Sequence, residues 1–331
     1  MARIFTDGAE DPRGDLEWVN TGANRVTSPV RSGVYAWRLY NTGNSMYRLF
    51  TASDEFYFRV AWHNTDGTAD PNESIAFCSG TTILVALRLD VVNKFFRVLV
   101  GSTQVAVGTF SWNPDTWYLL EFHIKIADTG GIIQMKVDGI MDIDYTGDTK
   151  PSTQTTIDNL YLRGLGNEHI KVDDIAINDT SGAADNSWCG EGRVIYLPDD
   201  SAGDSTQLTP NTGENWAAVD ERAHDSDTTH VEGSTVDNYD LYNLIASGLA
   251  TGSTILRVIP VAVARDTIAN GGKIQIGIKT NSTEYWSADK TLAVTYTGQD
   301  GNEYLVNPQT GVAWTIAELD ALQVGVKVRG T

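Results

Sequence analysis

The sequence contains little cysteine. Its 331 residues include two cysteines, Cys78 and Cys189. An extracellular domain stabilised by disulfides normally carries more. We therefore expect each cysteine to be a small buried or half-buried residue, and whether the two pair depends on a geometry that the sequence does not show.

Positive charge is also scarce. The chain has 24 Lys and Arg residues against 43 Asp and Glu residues, a net charge of −19. Residues 1–190 carry a net charge of −9 and residues 191–331 a net charge of −10, so neither part is a basic tail. Phosphate binding needs clustered Lys and Arg side chains. The charge therefore argues against a nucleic-acid partner and against an anionic membrane surface.

Long apolar runs are missing too. No stretch approaches the roughly 20 apolar residues of a membrane span, and residues 1–15 lack the apolar region and cleavage site of a signal peptide. We therefore expect no membrane partner and a protein that is made and folded in a cytoplasm.

Alternating apolar and polar residues are abundant, above all in Trp117–Ile126, Gly131–Tyr145 and Ile157–Ile177. Such alternation buries one face of a β-strand. Asp138 and Gly139 tolerate a positive φ and therefore predict a tight hairpin. Its inward-facing residues are predicted to be Ile133, Met135, Val137 and Ile140, with Ile143 as a further candidate.

The length predicts two domains of ordinary size. A polar break at Asn178–Asn186 places their boundary between residues 190 and 191, so that residues 1–190 and 191–331 each form an all-β domain. One helix is expected near the C-terminus. Thr315 is its predicted cap, with Glu318 completing a capping box, and Ile316, Leu319 and Leu322 would form its apolar face.

Three motifs identify a known fold family. Trp117–Phe122 reads Trp-Tyr-x-Leu-x-Phe, residues 137–139 read Val-Asp-Gly, and Lys171–Ile175 reads Lys-Val-Asp-Asp-Ile. Together they resemble the concanavalin A-like lectin/glucanase jelly rolls, in the laminin-G-like form of tailed-phage virion proteins. Asn186–Val194 is similar to the phrase that ends the jelly roll in those proteins. The implied fold is a concanavalin A-like jelly-roll sandwich followed by a second, smaller β-sandwich.

This resemblance implies a non-enzymatic structural protein of a tailed-phage particle, as a head decoration, a fibre or a tail-associated protein. Its implied location is the virion, which a protein without a signal peptide reaches after synthesis in the host cytoplasm. The implied partners are other virion proteins, copies of the chain itself in a homo-oligomer, and host-surface glycans.

The resemblance also implies a structural Ca²⁺ site. Phe5–Glu10 matches a Phe-x-Asp-Gly-x-Glu segment that meets the last strand of many such jelly rolls. Glu10 and one of Asp173 and Asp174 would then be Ca²⁺ ligands, because this ion takes several hard oxygen donors. The alternative is that these residues are solvated turn carboxylates.

Catalytic carboxylates are harder to find. Glucanases of this fold carry a Glu-x-Asp-x-Glu strand so that two carboxylates face the sugar. The nearest match is Asp142 and Asp144, which would share an exposed face of their strand. We therefore expect no enzyme activity. The alternatives are a glycan-active hydrolase that uses these two residues, or a cellular carbohydrate-binding module.

Two further groups of residues could bind ligands. His224 and His230, with Asp225 and Asp227, could hold a divalent cation or be solvated loop residues. The glycan-binding residues are unknown; a candidate set is the loop His63–Ser74 with three tryptophans that could instead belong to the core, Trp62, Trp112 and Trp117.

Overall fold

A computed structural model gives the structure of residues 3–41, 43–65, 73–90, 92–165, 170–269 and 271–330. The chain forms two compact units. The first comprises the residues up to Glu10 together with Trp18–Ile195, and the second comprises Asp11–Glu17 together with the residues from Tyr196 onward. The predicted boundary after residue 190 lies just before Ile195, and the assignment of Asp11–Glu17 to the second unit was not predicted.

The first unit consists of two antiparallel sheets. In sheet A the strand order is β13-β12-β11-β6-β15-β4-β3, with β1 paired to β15, and in sheet B it is β10-β9-β8-β7-β14-β5-β2. The strands are β1 (Arg3–Asp7), β2 (Val19–Asn20), β3 (Asn24–Val26), β4 (Ala36–Leu39), β5 (Ser45–Ser53), β6 (Glu55–Asn64), β7 (Glu73–Ser79), β8 (Thr82–Leu89), β9 (Phe96–Val100), β10 (Thr103–Val107), β11 (Thr116–Lys125), β12 (Gly131–Val137), β13 (Ile140–Gly147), β14 (Ile157–Arg163) and β15 (Ile170–Asp179).

The core of the first unit lies between the two sheets. Phe56 and Phe58 of β6 each pack against Phe77 of β7, with ring centroids 5.4 Å apart in both pairs. All three side chains are fully buried. Burying a side chain of this size stabilises a fold by roughly 1.5–3 kcal/mol. Because these residues alternate with polar ones along β6, the opposite face of sheet A carries the polar set.

The predicted hairpin is confirmed. Asp138 and Gly139 connect β12 to β13 with φ angles of 49° and 81°. The prediction that Ile140 faces the core is wrong, because its side chain is 74% exposed. A β-bulge shifts the register of β13 between Met135 and Lys136. The extra residue, Asp142, places Ile143 opposite Met135, where Ile143 is buried. Ile140 lies opposite Val137 next to the turn, on the edge strand of sheet A, and this position leaves its side chain open to solvent.

The second unit contains a six-stranded antiparallel sheet, in which β16-β19-β25-β21-β22 are neighbours and β23 pairs with β21. It also contains two two-stranded ribbons, β17-β18 and β20-β24. Trp216–Ala218 forms a 3₁₀ turn. The other elements are α1 (Gly14–Glu17), β16 (Asp199–Thr206), β17 (Thr209–Pro210), β18 (Val231–Glu232), β19 (Tyr239–Leu244), β20 (Val261–Ala264), β21 (Lys273–Thr280), β22 (Thr283–Trp286), β23 (Lys290–Thr291), β24 (Thr297–Asp300), α2 (Ile316–Asp320) and β25 (Gln323–Arg329).

The predicted C-terminal helix is α2. The Thr315 hydroxyl accepts from the Glu318 N–H at 3.2 Å, and the Glu318 carboxylate accepts from the Thr315 N–H at 2.9 Å, which confirms the capping box. Leu319 packs in the core of the second unit with Trp314. The sequence did not predict α1. The all-β fold class, with a jelly-roll sandwich first and a smaller β-structure after it, is confirmed.

Two expectations about single residues can be compared with the structure. Cys78 and Cys189 are both free and buried, as expected of small buried residues. Burial raises the pKa of the Cys78 thiol to about 12 and that of the Cys189 thiol to about 11. Both thiols are therefore protonated and unreactive at neutral pH. Within the described residues, no helix has the length and apolar character needed to cross a membrane.

Candidate functional site

The predicted calcium ligands lie together in the first unit. Glu10 follows β1, which pairs with β15, and β15 carries Asp173 and Asp174. All three carboxylates are almost completely buried, so the alternative that they are solvated turn residues is wrong. Burial and the neighbouring Asp174 carboxylate raise the pKa of Asp173 to about 8.

Two consecutive carboxylates can lie on one side of a strand only where the alternation is broken. Asp174 has a φ of 50°, and the register of β15 shifts between Asp173 and Ala176. This bulge brings both carboxylates to residues 31 and 32. The Asp173 Oδ2 accepts from the N–H groups of Arg31 and Ser32, both at 3.1 Å. The Asp174 Oδ1 accepts from the Ser32 hydroxyl at 2.7 Å, and its Oδ2 accepts from Arg31 at 2.6 Å.

Glu10 holds the neighbouring part of the same loop. Its Oε1 accepts from the N–H groups of Val34 and Tyr35 at 2.7 and 2.9 Å. Gly33 has a φ of 62°, and a Cβ atom at this position would collide with the Glu10 carboxylate. Glycine is therefore needed there for both the backbone conformation and the close approach.

These carboxylates therefore act as acceptors that order the chain around Arg31–Tyr35. Among the residues that the structure describes, no group of three or more His, Cys, Asp or Glu side chains could hold a metal ion. The calcium site at Glu10 and Asp173 or Asp174 stays a prediction from the family resemblance.

Asp142 and Asp144 make separate structural contacts. Asp142 lies at the bulge of β13, and its Oδ1 accepts from the N–H groups of Thr109 and Phe110 at 2.7 and 2.8 Å. Asp144 instead accepts from the Gln134 side chain at 2.9 Å. Each carboxylate thus has its own structural contact.

The predicted cation-binding group of His224, Asp225, Asp227 and His230 makes separate local contacts. Asp225 accepts from the Thr229 hydroxyl at 2.9 Å, and Asp227 accepts from Arg265 and from the Tyr296 hydroxyl, both at 2.8 Å. The His224 ring lies 5.7 Å from that of Tyr296. These contacts bind the acidic residues to the protein itself, and no metal site forms among the described side chains here.

The predicted tryptophan set divides into two. Trp62 and Trp112 are core residues whose rings meet edge to face at 5.6 Å. Trp117 instead lies on the opposite face of sheet A. Residues 66–72 of the predicted loop His63–Ser74 lie outside the described residues, as does His169. His63 belongs to strand β6.

That opposite face of sheet A carries an unpredicted row of polar side chains. Arg38 of β4 pairs with Lys171 of β15, Lys171 pairs with His63 of β6, and His63 pairs with Trp117 of β11. Directly opposed residues of an antiparallel ladder share a face. We call Arg38, Lys171, His63 and Trp117 the His63 row. Their chain neighbours, including Trp37, Trp62 and Val172, point into the core.

His63 is the centre of the row. Its Nε2 lies 3.2 Å from Oδ1 of Asp115, and its ring centroid lies 5.0 Å from that of Trp117. On the other side, the Lys171 ammonium donates to the Thr65 hydroxyl at 2.7 Å. Burial lowers the pKa of His63 below its ordinary value, the positive charge of Lys171 acts in the same direction, and Asp115 opposes both. His63 is therefore neutral at physiological pH.

The row contains two buried hydrogen-bonding atoms without a partner among the described residues. His63 Nδ1 and Trp117 Nε1 are both buried, and neither makes a hydrogen bond within the described part of the chain. Lys171 is 3% exposed, and no carboxylate of the described residues lies within 4.0 Å of its ammonium. Buried polar groups are nearly always hydrogen-bonded, so two such atoms on adjacent strands, beside a buried ammonium, indicate a place for a ligand.

An exposed aromatic ring lies at the edge of the row. Tyr40 follows β4 and is 47% exposed; no other aromatic side chain of the described residues is as open to solvent. The guanidinium of Arg38 lies 5.7 Å from the Tyr40 ring centroid. An open ring beside cationic and neutral donors can stack on a flat apolar surface such as the face of a sugar.

The middle of the same sheet face is covered by the chain itself. The Gly190 N–H donates to Glu121 at 2.7 Å, and Arg59 donates to the Gly190 carbonyl at 3.1 Å. Trp188 packs beside Tyr57, with ring centroids 5.8 Å apart. The segment around Trp188 and Gly190 thus covers the centre of sheet A.

Comparisons with known proteins find no matching family model and no matching curated protein sequence. Solved structures with a similar fold include the endo-β-1,4-glucuronan lyase of the fungus Trichoderma reesei, at 14% identity and a TM-score of 0.41, over 55% of this chain and 97% of that one. The cellulose-induced protein Cip1 is 12% identical with a TM-score of 0.40, over 57% of this chain and 100% of that one.

A third similar structure is the carbohydrate recognition domain of Emp47p. It is 11% identical with a TM-score of 0.36, and the alignment covers 54% of this chain and 97% of that one. At these identities the likeness concerns the fold, and no activity is transferred from it.

Proposed function

We propose that the first unit is a carbohydrate-binding module whose ligand contacts the His63 row. The observation that supports this proposal is a pair of buried atoms on adjacent strands, His63 Nδ1 and Trp117 Nε1, for which the described residues supply no hydrogen-bond partner. When Nε2 of His63 carries the proton that faces Asp115, Nδ1 accepts a hydrogen bond. Trp117 Nε1 only donates. A sugar hydroxyl does both, and one hydroxyl group or two adjacent ones can serve both atoms.

The test is a glycan array probed with the full chain, followed by the affinity of Trp117→Phe for each ligand found. Phenylalanine keeps an aromatic ring but removes the Nε1 donor, so we expect weaker binding by about tenfold, the equivalent of one hydrogen bond of 1.4 kcal/mol. Trp188→Phe is the matched control, because Trp188 packs against His123 and Lys136 over the middle of the sheet face and does not belong to the His63 row. Equal loss in both variants, or no glycan ligand at all, would contradict the proposal.

A second part of the proposal concerns the particle in which this module acts. The resemblance of Asn186–Val194 and of the three fold motifs to phage proteins supports a non-enzymatic structural role in a tailed-phage particle. The module would then contact neighbouring virion proteins, further copies of the chain or glycans of the host surface. Mass spectrometry of gradient-purified particles tests this role directly, and particles that lack the protein would rule it out.

Hydrolysis is the competing function. It would require Asp142 or Asp144 to act on a glycan, although both carboxylates make structural contacts. We expect no hydrolysis of β-glucans or bacterial capsules. Hydrolysis that the wild-type chain performs and Asp142→Asn does not would establish the enzyme instead.

A further inference from the structure

Lys171 is buried, and among the described residues it makes no ion pair with a carboxylate. Its ammonium donates to the Thr65 hydroxyl at 2.7 Å, and the side chain is 3% exposed. Within the described ranges, no carboxylate approaches it within 4.0 Å. Removing an ammonium from water is unfavourable unless an anion and further hydrogen bonds compensate for the lost solvation. The fold therefore buries the Lys171 ammonium at a place where the lost solvation of its charge is only partly replaced by protein contacts.

The described side chains beside Lys171 supply this compensation only in part. Arg38 lies opposite Lys171 on β4 and is itself a cation, and neutral His63 lies opposite on β6. Burial lowers the pKa of Lys171, the charge of Arg38 acts in the same direction, and the charge of Asp115 opposes both. The Asp115 carboxylate contacts His63 and is 75% exposed. In a chain with a net charge of −19, two adjacent cations on one sheet face are a local exception to the overall composition. A negatively charged ligand would complete the site.

We propose that the His63 row binds a carboxylated glycan, with the sugar carboxylate at Lys171 and Arg38. This inference rests on the proposed carbohydrate binding and names its ligand class. A planar carboxylate accepts two hydrogen bonds from a guanidinium or one from an ammonium. The hydroxyls of the same sugar complete the pairing of His63 Nδ1 and Trp117 Nε1. Tyr40, at the edge of the row, stacks on the adjoining sugar ring.

The experiment is a glycan array that contains carboxylated, sulfated and neutral glycans, probed with the full chain. The dissociation constant of the strongest ligand is then compared with that of its methyl ester, which has the same backbone without the charge. We expect the array ligands to be carboxylated and the ester to bind at least tenfold more weakly. We also expect the affinity to fall as salt rises, because exposed parts of the charge interaction are screened.

Variants locate the charge contact. Lys171→Met and Arg38→Met should each weaken binding of the carboxylated ligand by tenfold or more and leave binding of its ester nearly unchanged. Lys125→Met is the matched control. Lys125 lies at the other end of the same sheet face and pairs with Glu55 at 3.2 Å. The Lys125→Met variant removes the same charge as Lys171→Met, and we expect it to leave the dissociation constant of the carboxylated ligand unchanged.

The outcomes separate the two proposals. Array ligands that are only neutral or only sulfated would overturn the carboxylated class and leave carbohydrate binding in place. No glycan ligand of any class would overturn both. A carboxylated ligand whose affinity is unchanged in folded Lys171→Met and Arg38→Met would show that the site lies elsewhere.

Discussion

Nε2 of His63 lies 3.2 Å from Oδ1 of Asp115, and this contact joins a buried side chain to an exposed one. His63 is 1% exposed, whereas the Asp115 carboxylate is 75% exposed. The carboxylate fixes the orientation of the imidazole and leaves Nδ1 directed away from it. Asp115 itself is placed by a φ of 55° and by its N–H, which donates to the Asn64 carbonyl at 2.7 Å.

The pKa of His63 predicts that acid destabilises the first unit. Burial and the charge of Lys171 lower the pKa of His63 in the folded state, below its ordinary value of 6.5, while Asp115 acts in the opposite direction. Between the two values the unfolded chain binds a proton that the folded chain does not bind, so the stability falls as the pH falls below about 6.5. The free energy of unfolding should therefore decrease from pH 7 to pH 5.5 by more in the wild type than in His63→Gln, measured by urea denaturation.

Asp115→Asn provides the control for this prediction. Removing the one group that raises the pKa of His63 should lower the pKa further and make the loss of stability in acid larger. If the wild type, His63→Gln and Asp115→Asn all lose the same amount of stability, His63 does not titrate as the geometry requires.

Lys171→Met should stabilise the protein while it weakens ligand binding. The variant replaces a buried ammonium, which has one hydroxyl partner, by an apolar side chain of similar length. Replacing poorly compensated buried charge by an apolar group is often neutral or favourable, and we expect a gain on the order of 1 kcal/mol. Thermal unfolding measures it. A melting temperature that drops by several degrees would mean that Lys171 has a structural role.

The sequence was sufficient where a structure depends on a few consecutive residues. The hairpin at Asp138 and Gly139 and the capping box of Thr315 and Glu318 are both of this kind, and both are confirmed. The exposure of Ile140 was not predicted because it depends on the position of Ile140 beside the turn on an edge strand, and the burial of Ile143 depends on a bulge. A bulge adds one residue to one strand of a pair, and the alternation of a single strand does not show it.

The His63 row could not be predicted in the same way. His63, Trp117 and Lys171 come from strands far apart in the sequence, and only the pairing register places them side by side. One signal was present. Arg59 and His63 alternate with Phe58 and Trp62 along β6, which marks a polar face opposite the aromatic one. The neighbouring strands β11 and β15 add Trp117 and Lys171 to that face, and the sequence alone does not show this pairing.

Calcium removal tests the site that the family resemblance predicts. If Ca²⁺ binds Glu10 and Asp173 or Asp174 in the folded state, millimolar Ca²⁺ should raise the melting temperature above that in EDTA. Mass action gives about 2.7 kcal/mol when the ion is present at 100 times its dissociation constant. Asp173→Asn should remove the difference between the two buffers. Equal melting temperatures of the wild type with and without Ca²⁺ would rule out the site, and the hydrogen bonds to Arg31 and Ser32 would then be the only role assigned to these carboxylates.

Asp240→Ala should strongly destabilise the second unit. Asp240 is fully buried in β19, and its carboxylate accepts from the N–H groups of residues 207 and 208, from the Asn215 amide at 2.6 Å and from the Tyr242 hydroxyl at 2.9 Å. Burial and the charge of Asp240 raise the pKa of Tyr242, so that this hydroxyl remains a donor. Alanine would leave four donors without their acceptor.

Each hydrogen bond to a charged group contributes about 1.5–3 kcal/mol, so a loss of roughly 3 kcal/mol or more is expected for Asp240→Ala. The midpoint of urea unfolding, followed by tryptophan fluorescence, measures the loss. Asp204→Ala is the matched control, since it removes an exposed carboxylate of the same unit that pairs with Lys279. Exposed pairs contribute little because water and salt screen them, and the control should unfold near the wild-type midpoint. Similar midpoints for both variants would mean that the hydrogen bonds of Asp240 do not hold the Gln207 turn against β19.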